Sequence, residues 1–264
     1  MSTNDLLFGL SIPLYLWVVV AVSREIFFDR SPRARAVMVL GSTAAVFHVL
    51  ASVMQMHDLD GTDFSLIKSL SLILAITTLL ITLGSTRRPT RPLLIVAGPL
   101  AVIFALAGTL LPATSSPLKL QAGEVTHIIL SILAFGIFTV ATAEALLLNF
   151  VSGRLKVHRI NAALQHMPPV EALEKLMFDL LRVGTVTLFL AIATGLVFLQ
   201  SFAEQHLYHK FFFSILGLIV YAWLWWGHQR YGWRGRKALH WALGGYFSLL
   251  LAYAGSKIVL ELLL

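Results

Sequence analysis

Long apolar runs separated by short polar segments make up most of this chain. A helix needs about 20 mostly apolar residues to cross the hydrocarbon core of a bilayer. Eight runs reach roughly that length, and charged residues are rare within them. The pattern therefore predicts an all-α, polytopic integral membrane protein, with a single transmembrane domain over residues 1–264. The predicted spans are residues 5–23, 36–56, 64–84, 93–111, 126–150, 179–202, 211–228 and 240–262.

Two connections carry further signals. Residues 152–178 form the longest polar connection, which Pro168 and Pro169 interrupt. Because proline suits the first turn of a helix, a helix is expected to begin just after this pair. Apolar residues then recur at helical spacing over 173–180, which predicts an interfacial helix leading into span six. The turn-rich segment 112–124 is expected to lie over the outer mouth of span five.

Basic residues are distributed unequally between alternate connections. Membrane proteins retain short, positively charged loops in the cytoplasm. Sixteen of the twenty Lys and Arg residues lie after spans one, three, five and seven, which predicts that these connections are cytoplasmic and that both termini face outward. The sixteen are Arg24, Arg30, Arg33, Arg35, Arg87, Arg88, Arg91, Arg154, Lys156, Arg159, Lys175, Arg182, Arg230, Arg234, Arg236 and Lys237. The placement of basic residues in cytoplasmic connections thus explains the net charge of +7, and no nucleic-acid partner is predicted.

Composition restricts the chemistry that this chain can perform. Charged residues make up 12% of the chain and mean hydropathy is +0.82, whereas about a quarter of a soluble domain is charged. The absence of cysteine excludes disulfides, thiolate ligands and covalent c-type haem attachment within the chain. No pattern resembles a nucleophile with its base, a phosphate-binding loop or a catalytic carboxylate pair, so the chain is not predicted to be an enzyme.

Histidines inside the apolar runs are the main candidates for a functional site. A buried imidazole at membrane depth requires a partner, and imidazole is also a common ligand of metals and of haem iron. One such residue, His48, has only small neighbours at helical spacing, and a flat porphyrin could lie in the shallow groove they leave. The alternative is close helix packing, with His48 hydrogen-bonded across the interface. These small neighbours are Ala44, Ala45, Ala51 and Ser52.

Other polar residues lie at the predicted ends of spans. His127 is at the outer end of span five, and His209 shares its predicted depth in the connection before span seven. His228 is at the inner end of span seven, where a belt of interfacial tryptophans would explain its surroundings without a cofactor. Glu144, near the inner end of span five, is expected to extend its carboxylate toward the interface.

Short motifs in the second half of the chain carry a family resemblance. They are HIILSILAF (127–135), MPPVEALEKLMF (167–178), GWRGRK (232–237) and LAYAGSK (251–257). Together they resemble the cytochrome c assembly family, haem-handling membrane proteins of the CcsA and CcmC type, and in particular its YpjD-like branch. The resemblance covers most of the chain and is strongest over residues 120–264.

The resemblance implies non-covalent haem b bound through histidine. By position, His127 matches an outward-facing haem ligand at a span mouth, and His228 matches a membrane-embedded ligand before the GWRG loop. His48 resembles the partner of His228, and His209 is the partner nearest in depth to His127. The family's tryptophan-rich WWD loop has no counterpart here, because the stretch before span seven reads SFAEQHLYHK. The candidate haem-binding set is therefore His48, His127, His209 and His228 as iron ligands. Arg234 and Arg236 lie beside His228 in the sequence and could pair with haem propionates, although the positive-inside rule already explains them.

The predicted function is haem handling or export linked to cytochrome c assembly, in a bacterial inner membrane. Expected partners are haem, the lipid bilayer and other cytochrome assembly or membrane proteins. One alternative is a b-type electron carrier, with one haem between His48 and His228 and another between His127 and His209. A second alternative is a divalent-metal transporter with ligands at its outer mouth. The residues considered for that transporter are His57, Asp58, Asp60 and Asp63.

The charge distribution makes a direct prediction about topology. Reporter tags fused at residues 1 and 264 should both be active outside the cytoplasm, because the basic connections anchor the other side. Reporters inserted after Gly153 or Gly235 should be active in the cytoplasm. A cytoplasmic signal from the tag at residue 264 would contradict the eight-span arrangement.

Overall fold

Long helices form nearly all of the described chain. The computed structural model describes residues 3–28, 34–58, 61–86, 90–110, 120–156, 164, 167–198 and 208–255. The helices are α1 (Thr3–Phe28), α2 (Ala34–Met56), α3 (Leu66–Gly84), α4 (Leu94–Leu110), α5 (Ala122–Lys156), α6 (Val170–Phe198), α7 (Tyr208–Tyr231) and α8 (Gly235–Leu250). A 3₁₀ turn, Arg91–Leu93, precedes α4, and a π-helical turn, Leu251–Gly255, follows α8.

The structure confirms the all-α, multi-span fold. Within the described ranges, seven helices are long and apolar enough to cross a membrane. The eighth predicted span is represented by α8 and the π-helical turn, and the rest of that span lies outside the described residues. A short antiparallel hairpin that the sequence did not predict follows α2, with β1 at His57–Asp58 and β2 at Gly61–Thr62.

Helix α6, which contains predicted span six, begins earlier in the chain than that span was predicted to begin. The helix after Pro169 begins at Val170 as predicted, and the amides of Ala172 and Leu173 donate to the Pro169 carbonyl. It then continues to Phe198 without a break, so the predicted interfacial helix and span six form one continuous helix. The buried side chain of Leu173 indicates that this apolar face packs against protein.

Helix α5 is longer than predicted at both ends. The carboxylate of Glu124 accepts a hydrogen bond from the backbone N–H of Gln121, a capping arrangement that starts the helix before the predicted residue 126. The predicted outer cover over 112–124 is therefore helical from Ala122, and residues 111–119 lie outside the described part of the chain.

Two compact units divide the chain. The first comprises Met1–Leu118 and Phe150–Leu176, and the second comprises Lys119–Asn149 and Met177–Leu264. In the first unit, α1 and α3 each pack against both α2 and α4. Small residues allow this close approach, as they do in membrane helix bundles generally. One buried cluster consists of Tyr15, Ala44, Ala45 and Ala101.

Aromatic side chains packed against glycines hold the second unit together. The rings of Phe138 on α5 and Tyr221 on α7 stack with centroids 3.8 Å apart. Gly184 on α6 leaves room for Phe138, and Gly245 on α8 leaves room for Tyr221. Adding a methyl group at either glycine would therefore force a ring to move.

Adjacent glycines on α8 provide a test of this packing. A Cβ atom at position 245 would lie 2.8–2.9 Å from three carbons of the Tyr221 ring, whereas nothing lies within 4 Å of one at position 244. Gly245→Ala should destabilise the protein by about 1–3 kcal/mol, because overpacking outweighs the gain in helix propensity. Gly244→Ala should be neutral or stabilising. Thermal unfolding in detergent measures both, and equal melting temperatures would contradict the packing.

Candidate cofactor-binding site

The end of α7 positions His228. Gly232 adopts a left-handed conformation with φ of +63°, which glycine reaches without steric strain. Its N–H donates to the His228 carbonyl at 3.0 Å, and the N–H of Trp233 donates to the Gly227 carbonyl at 3.3 Å. This turn brings the Trp233 carbonyl 3.0 Å from Nδ1 of the His228 ring. The local backbone therefore supplies the group that orients the imidazole.

The hydrogen bond to Trp233 determines the tautomer of His228. A carbonyl oxygen can only accept, so Nδ1 carries the proton and Nε2 carries the lone pair. Phe178 on α6 stacks on the ring, with centroids 3.5 Å apart and an interplanar angle of 16°. Within the described ranges no hydrogen bond engages Nε2. An imidazole held in this way by a backbone carbonyl is typical of metal-ligating histidines.

His228 lines a cavity of about 350 Å³ at the junction of α6 and α7. Two guanidinium groups, those of Arg182 and Arg234, also line it, and Arg182 lies 3.7 Å from the Asp179 carboxylate. The predicted Arg234 is thus at the cavity, whereas Arg236 is exposed and is not among the lining residues. The complete lining is Phe178, Asp179, Arg182, Trp225, His228, Gln229 and Arg234.

The tryptophans near His228 have different surroundings. Trp223 and Trp226 are exposed and lie next to each other, as expected of an interfacial belt. Trp225 lines the cavity. Trp233 stacks on Trp241, and the ammonium of Lys237 lies 3.8 Å from its ring centroid. The tryptophans near His228 therefore serve two environments: Trp223 and Trp226 form an exposed pair, and Trp225 lines the cavity.

His127 is oriented in the same way as His228. Its Nδ1 lies 2.6 Å from the Ala191 carbonyl on α6, so Nδ1 is the donor and Nε2 carries the lone pair. No hydrogen bond to Nε2 is found in the described part of the chain. A Cβ atom at Gly195 would lie 2.8 Å from the ring, so the absence of a side chain there makes room for the imidazole. The ring is half-buried.

His48 has different surroundings. It is fully buried in the first unit, with Nδ1 3.3 Å from the Tyr15 hydroxyl and Nε2 2.9 Å from the Ser71 hydroxyl. Its small neighbours are also packed, for example Ala51 against Phe8 and Ala105. This environment agrees with the alternative in which His48 joins packed helices through hydrogen bonds. To bind a ring nitrogen of His48, an iron would have to displace one of these two hydrogen bonds. His48 and His228 belong to different units, so their pairing on one iron stays a prediction.

The remaining histidines lie away from these sites or outside the described residues. His209 and His240 are exposed, and Nδ1 of the exposed His57 is bonded to the Val53 carbonyl of the preceding helix, α2. His209 as a partner of His127 stays a prediction. His158, His166, His206 and Asp60 lie outside the described residues.

The outer-mouth metal site receives no support from the described residues. There, no group of three or more His, Cys, Asp and Glu side chains is placed to hold a metal ion. The Asp63 carboxylate lies 2.8 Å from the Lys68 ammonium and accepts a hydrogen bond from the Ser65 amide. Its charge is therefore already compensated by lysine.

Several cavity residues were missed by the sequence reasoning. Arg182 was assigned only to topology, and Phe178 was noted only as the last residue of the motif MPPVEALEKLMF. Both lie on α6, and only the packing of α6 against α7 brings them to His228. The signal in the sequence was their spacing, since residues 178 and 182 fall on one helical face.

Comparisons with known proteins agree with one another. A family model described as "Cytochrome C assembly protein" matches residues 12–264. The chain is 31% identical to "Inner membrane protein YpjD" of Escherichia coli K12 over 204 residues, or 77% of each chain. It is also 31% identical over 140 residues to an "Uncharacterized 28.8 kDa protein" of Azospirillum brasilense, covering 52% of each chain. No solved structure matches the chain.

The hydrogen bonds of His48 predict a structural effect that does not depend on any cofactor. His48→Ala removes one partner of the buried Tyr15 hydroxyl and one partner of the Ser71 hydroxyl, so the unfolding free energy should fall by about 1–3 kcal/mol. His240→Ala is the matched control, because His240 is exposed. Thermal unfolding in detergent compares the two variants, and identical stabilities would contradict the observed hydrogen bonding.

Proposed function

This chain belongs to the cytochrome c assembly protein family, and we propose that it binds haem b non-covalently and handles it within a bacterial inner membrane. The name of the Escherichia coli relative supports the inner-membrane location. The orientation of His228 is the observation that carries the proposal. Its Nδ1 is held by a backbone carbonyl beside a cavity, which leaves Nε2 as the electron-pair donor.

The chemistry of the cavity supports a haem ligand in particular. Phe178 and Trp225 provide aromatic surface for a porphyrin ring, and the guanidinium groups of Arg182 and Arg234 can form paired hydrogen bonds with propionate carboxylates. A haem iron ligated there would supply one-electron redox chemistry. The residues of the chain would then hold the imidazole in place, neutralise the propionates and supply aromatic contact surface.

His127 is proposed as the ligand of a second site. It shares with His228 a half-buried ring, an Nδ1 bonded to a backbone carbonyl and an Nε2 without a hydrogen bond in the described part of the chain. The predicted topology places His127 at the outer end of α5 and His228 at the inner end of α7. Two such positions suit a protein that passes haem across the membrane for cytochrome assembly, without catalysing a reaction of its own.

A b-type electron carrier is the second candidate. The matching orientation of two histidines supports it equally well, because electron transfer across a membrane also uses two haems in succession. The two candidates differ in what happens after loading. Reduction of bound haem by a quinol would favour the carrier, and transfer of haem to an apocytochrome would favour the handler.

The proposal predicts the spectrum of the purified protein. Wild type should show a Soret band, and acid acetone should extract the haem, because the chain has no cysteine for a thioether. His228→Ala and His127→Ala should each remove a separate spectral component, and the double variant should lose both. His240→Ala, which changes an exposed histidine on α8, should retain the spectrum of wild type.

Three outcomes would revise the assignment. Wild-type haem content in both the His228→Ala and His127→Ala proteins would contradict the proposal. Wild-type content in His48→Ala would restrict His48 to helix packing. Wild-type spectra in both His127→Ala and His209→Ala would remove the outer site and leave only the site at His228.

A further inference from the structure

Glu144 is a fully buried carboxyl group in α5 that the proposed haem sites do not use. Neither Oε1 nor Oε2 has a hydrogen-bond partner among the described residues. The expectation that this side chain reaches the interface was wrong. Both carboxylate oxygens are buried inside the protein, so the side chain does not extend to the surface.

The face of α5 that carries Glu144 is apolar. Residues three, four or seven positions apart share a helical face, and on this face Ile137, Ala141 and Leu148 are all buried. Contacts of Ile137 and Phe138 with Gly184, and of His127 with Gly195, establish an antiparallel register between α5 and α6.

That register identifies the residues opposite Glu144. It places Glu144 level with residues 177–181 of α6, where Met177, Phe178 and Leu181 are buried. The stacking of Phe138 on Tyr221 similarly places it near the buried Leu224 and the end of α7. The carboxyl group therefore lies in an apolar layer.

Several charged and titratable groups on the packed helices have partners other than Glu144. On α6, Asp179 and Arg182 are paired with each other. On α7, Tyr221 donates to the Ala242 carbonyl and His228 to Trp233.

On α8, Lys237 lies over the Trp233 ring, and the Tyr246 hydroxyl is bonded to Thr139. No salt bridge reaches Glu144 within the described residues. A carboxylate there would be uncompensated, and an isolated charge in an apolar medium is so unfavourable that the group takes up a proton instead.

We propose that Glu144 is a proton-binding site inside the membrane, and that it holds a proton at neutral pH. A metal cation is a poorer occupant, because hard cations require several oxygen ligands and no group of three or more suitable side chains exists in the described part of the chain. The site is distinct from the proposed haem sites, since Glu144 does not line the cavity at His228, although Phe178 lines that cavity and is also level with Glu144.

A hydrophobic carbodiimide tests the proposal, because it reacts with protonated carboxyl groups in apolar surroundings. The carboxyl proton moves to one carbodiimide nitrogen while the carboxyl oxygen bonds to the central carbon. Acyl migration to nitrogen then gives a stable N-acylurea. The net change is addition of one reagent molecule with no leaving group and no redox step.

The experiment treats the full chain in detergent with dicyclohexylcarbodiimide at neutral pH and maps the adduct by peptide mass spectrometry. We expect one principal adduct at Glu144, declining as the pH is raised, absent from Glu144→Gln and retained in Glu171→Gln, whose carboxylate is exposed. The position of the adduct in wild type is decisive even if Glu144→Gln fails to fold. Infrared spectroscopy should also show the carbonyl stretch of a protonated carboxyl group, shifted in heavy water.

Two results would overturn the proposal. One is wild-type protein without an adduct at Glu144 and without the protonated-carboxyl band. The other is protection of Glu144 by sodium or potassium ions at constant pH, which would identify a cation site. Both measurements are made on protein free of haem, so failure to bind haem would leave this result unchanged.

Discussion

A bilayer core contains no water to hydrate an imidazole, so a histidine buried among membrane-spanning helices has to obtain its hydrogen bonds from the protein. His48 obtains two, from Tyr15 and Ser71, and both of its ring nitrogens are engaged. His127 and His228 each obtain one, from a backbone carbonyl that can only accept. His48 is therefore suited to joining helices, whereas His127 and His228 each keep the electron pair of Nε2 available for a ligand.

The same constraint explains how each unit is built. In the first unit, hydroxyl groups on α1 and α3 surround His48, and alanines at the helix contacts allow the close approach that these hydrogen bonds require. In the second unit, aromatic rings pack on glycines, and the hydrogen bonds that orient the histidines come from the main chain. A main-chain acceptor adds no further charge to be buried, whereas a carboxylate in the same role would do so.

The sequence predicted the helices far better than it predicted the site. Length and hydropathy predicted eight spans, and the described part of the chain contains seven helices long and apolar enough to cross a membrane, because the bilayer thickness sets the length of such a helix whatever its neighbours are. Histidines were found because they are rare and costly in apolar runs, but their roles depended on partners far away in sequence. Ser71 lies 23 residues from His48, and Ala191 lies 64 residues from His127. The burial of Glu144 was missed for the same reason, since only the packing of α6 and α7 on α5 encloses it.

The turn after α7 also determines which substitutions would preserve the tautomer of His228. Because the acceptor for His228 is the carbonyl of Trp233, the identity of the side chain at position 233 is not what selects the imidazole tautomer. The tautomer depends instead on Gly232, one residue earlier, whose left-handed backbone directs the Trp233 carbonyl toward the His228 ring. Substitution at position 233 can therefore alter the aromatic surface while the ring keeps its protonation pattern. A side chain with a β-carbon at position 232 would disturb that pattern without touching the histidine.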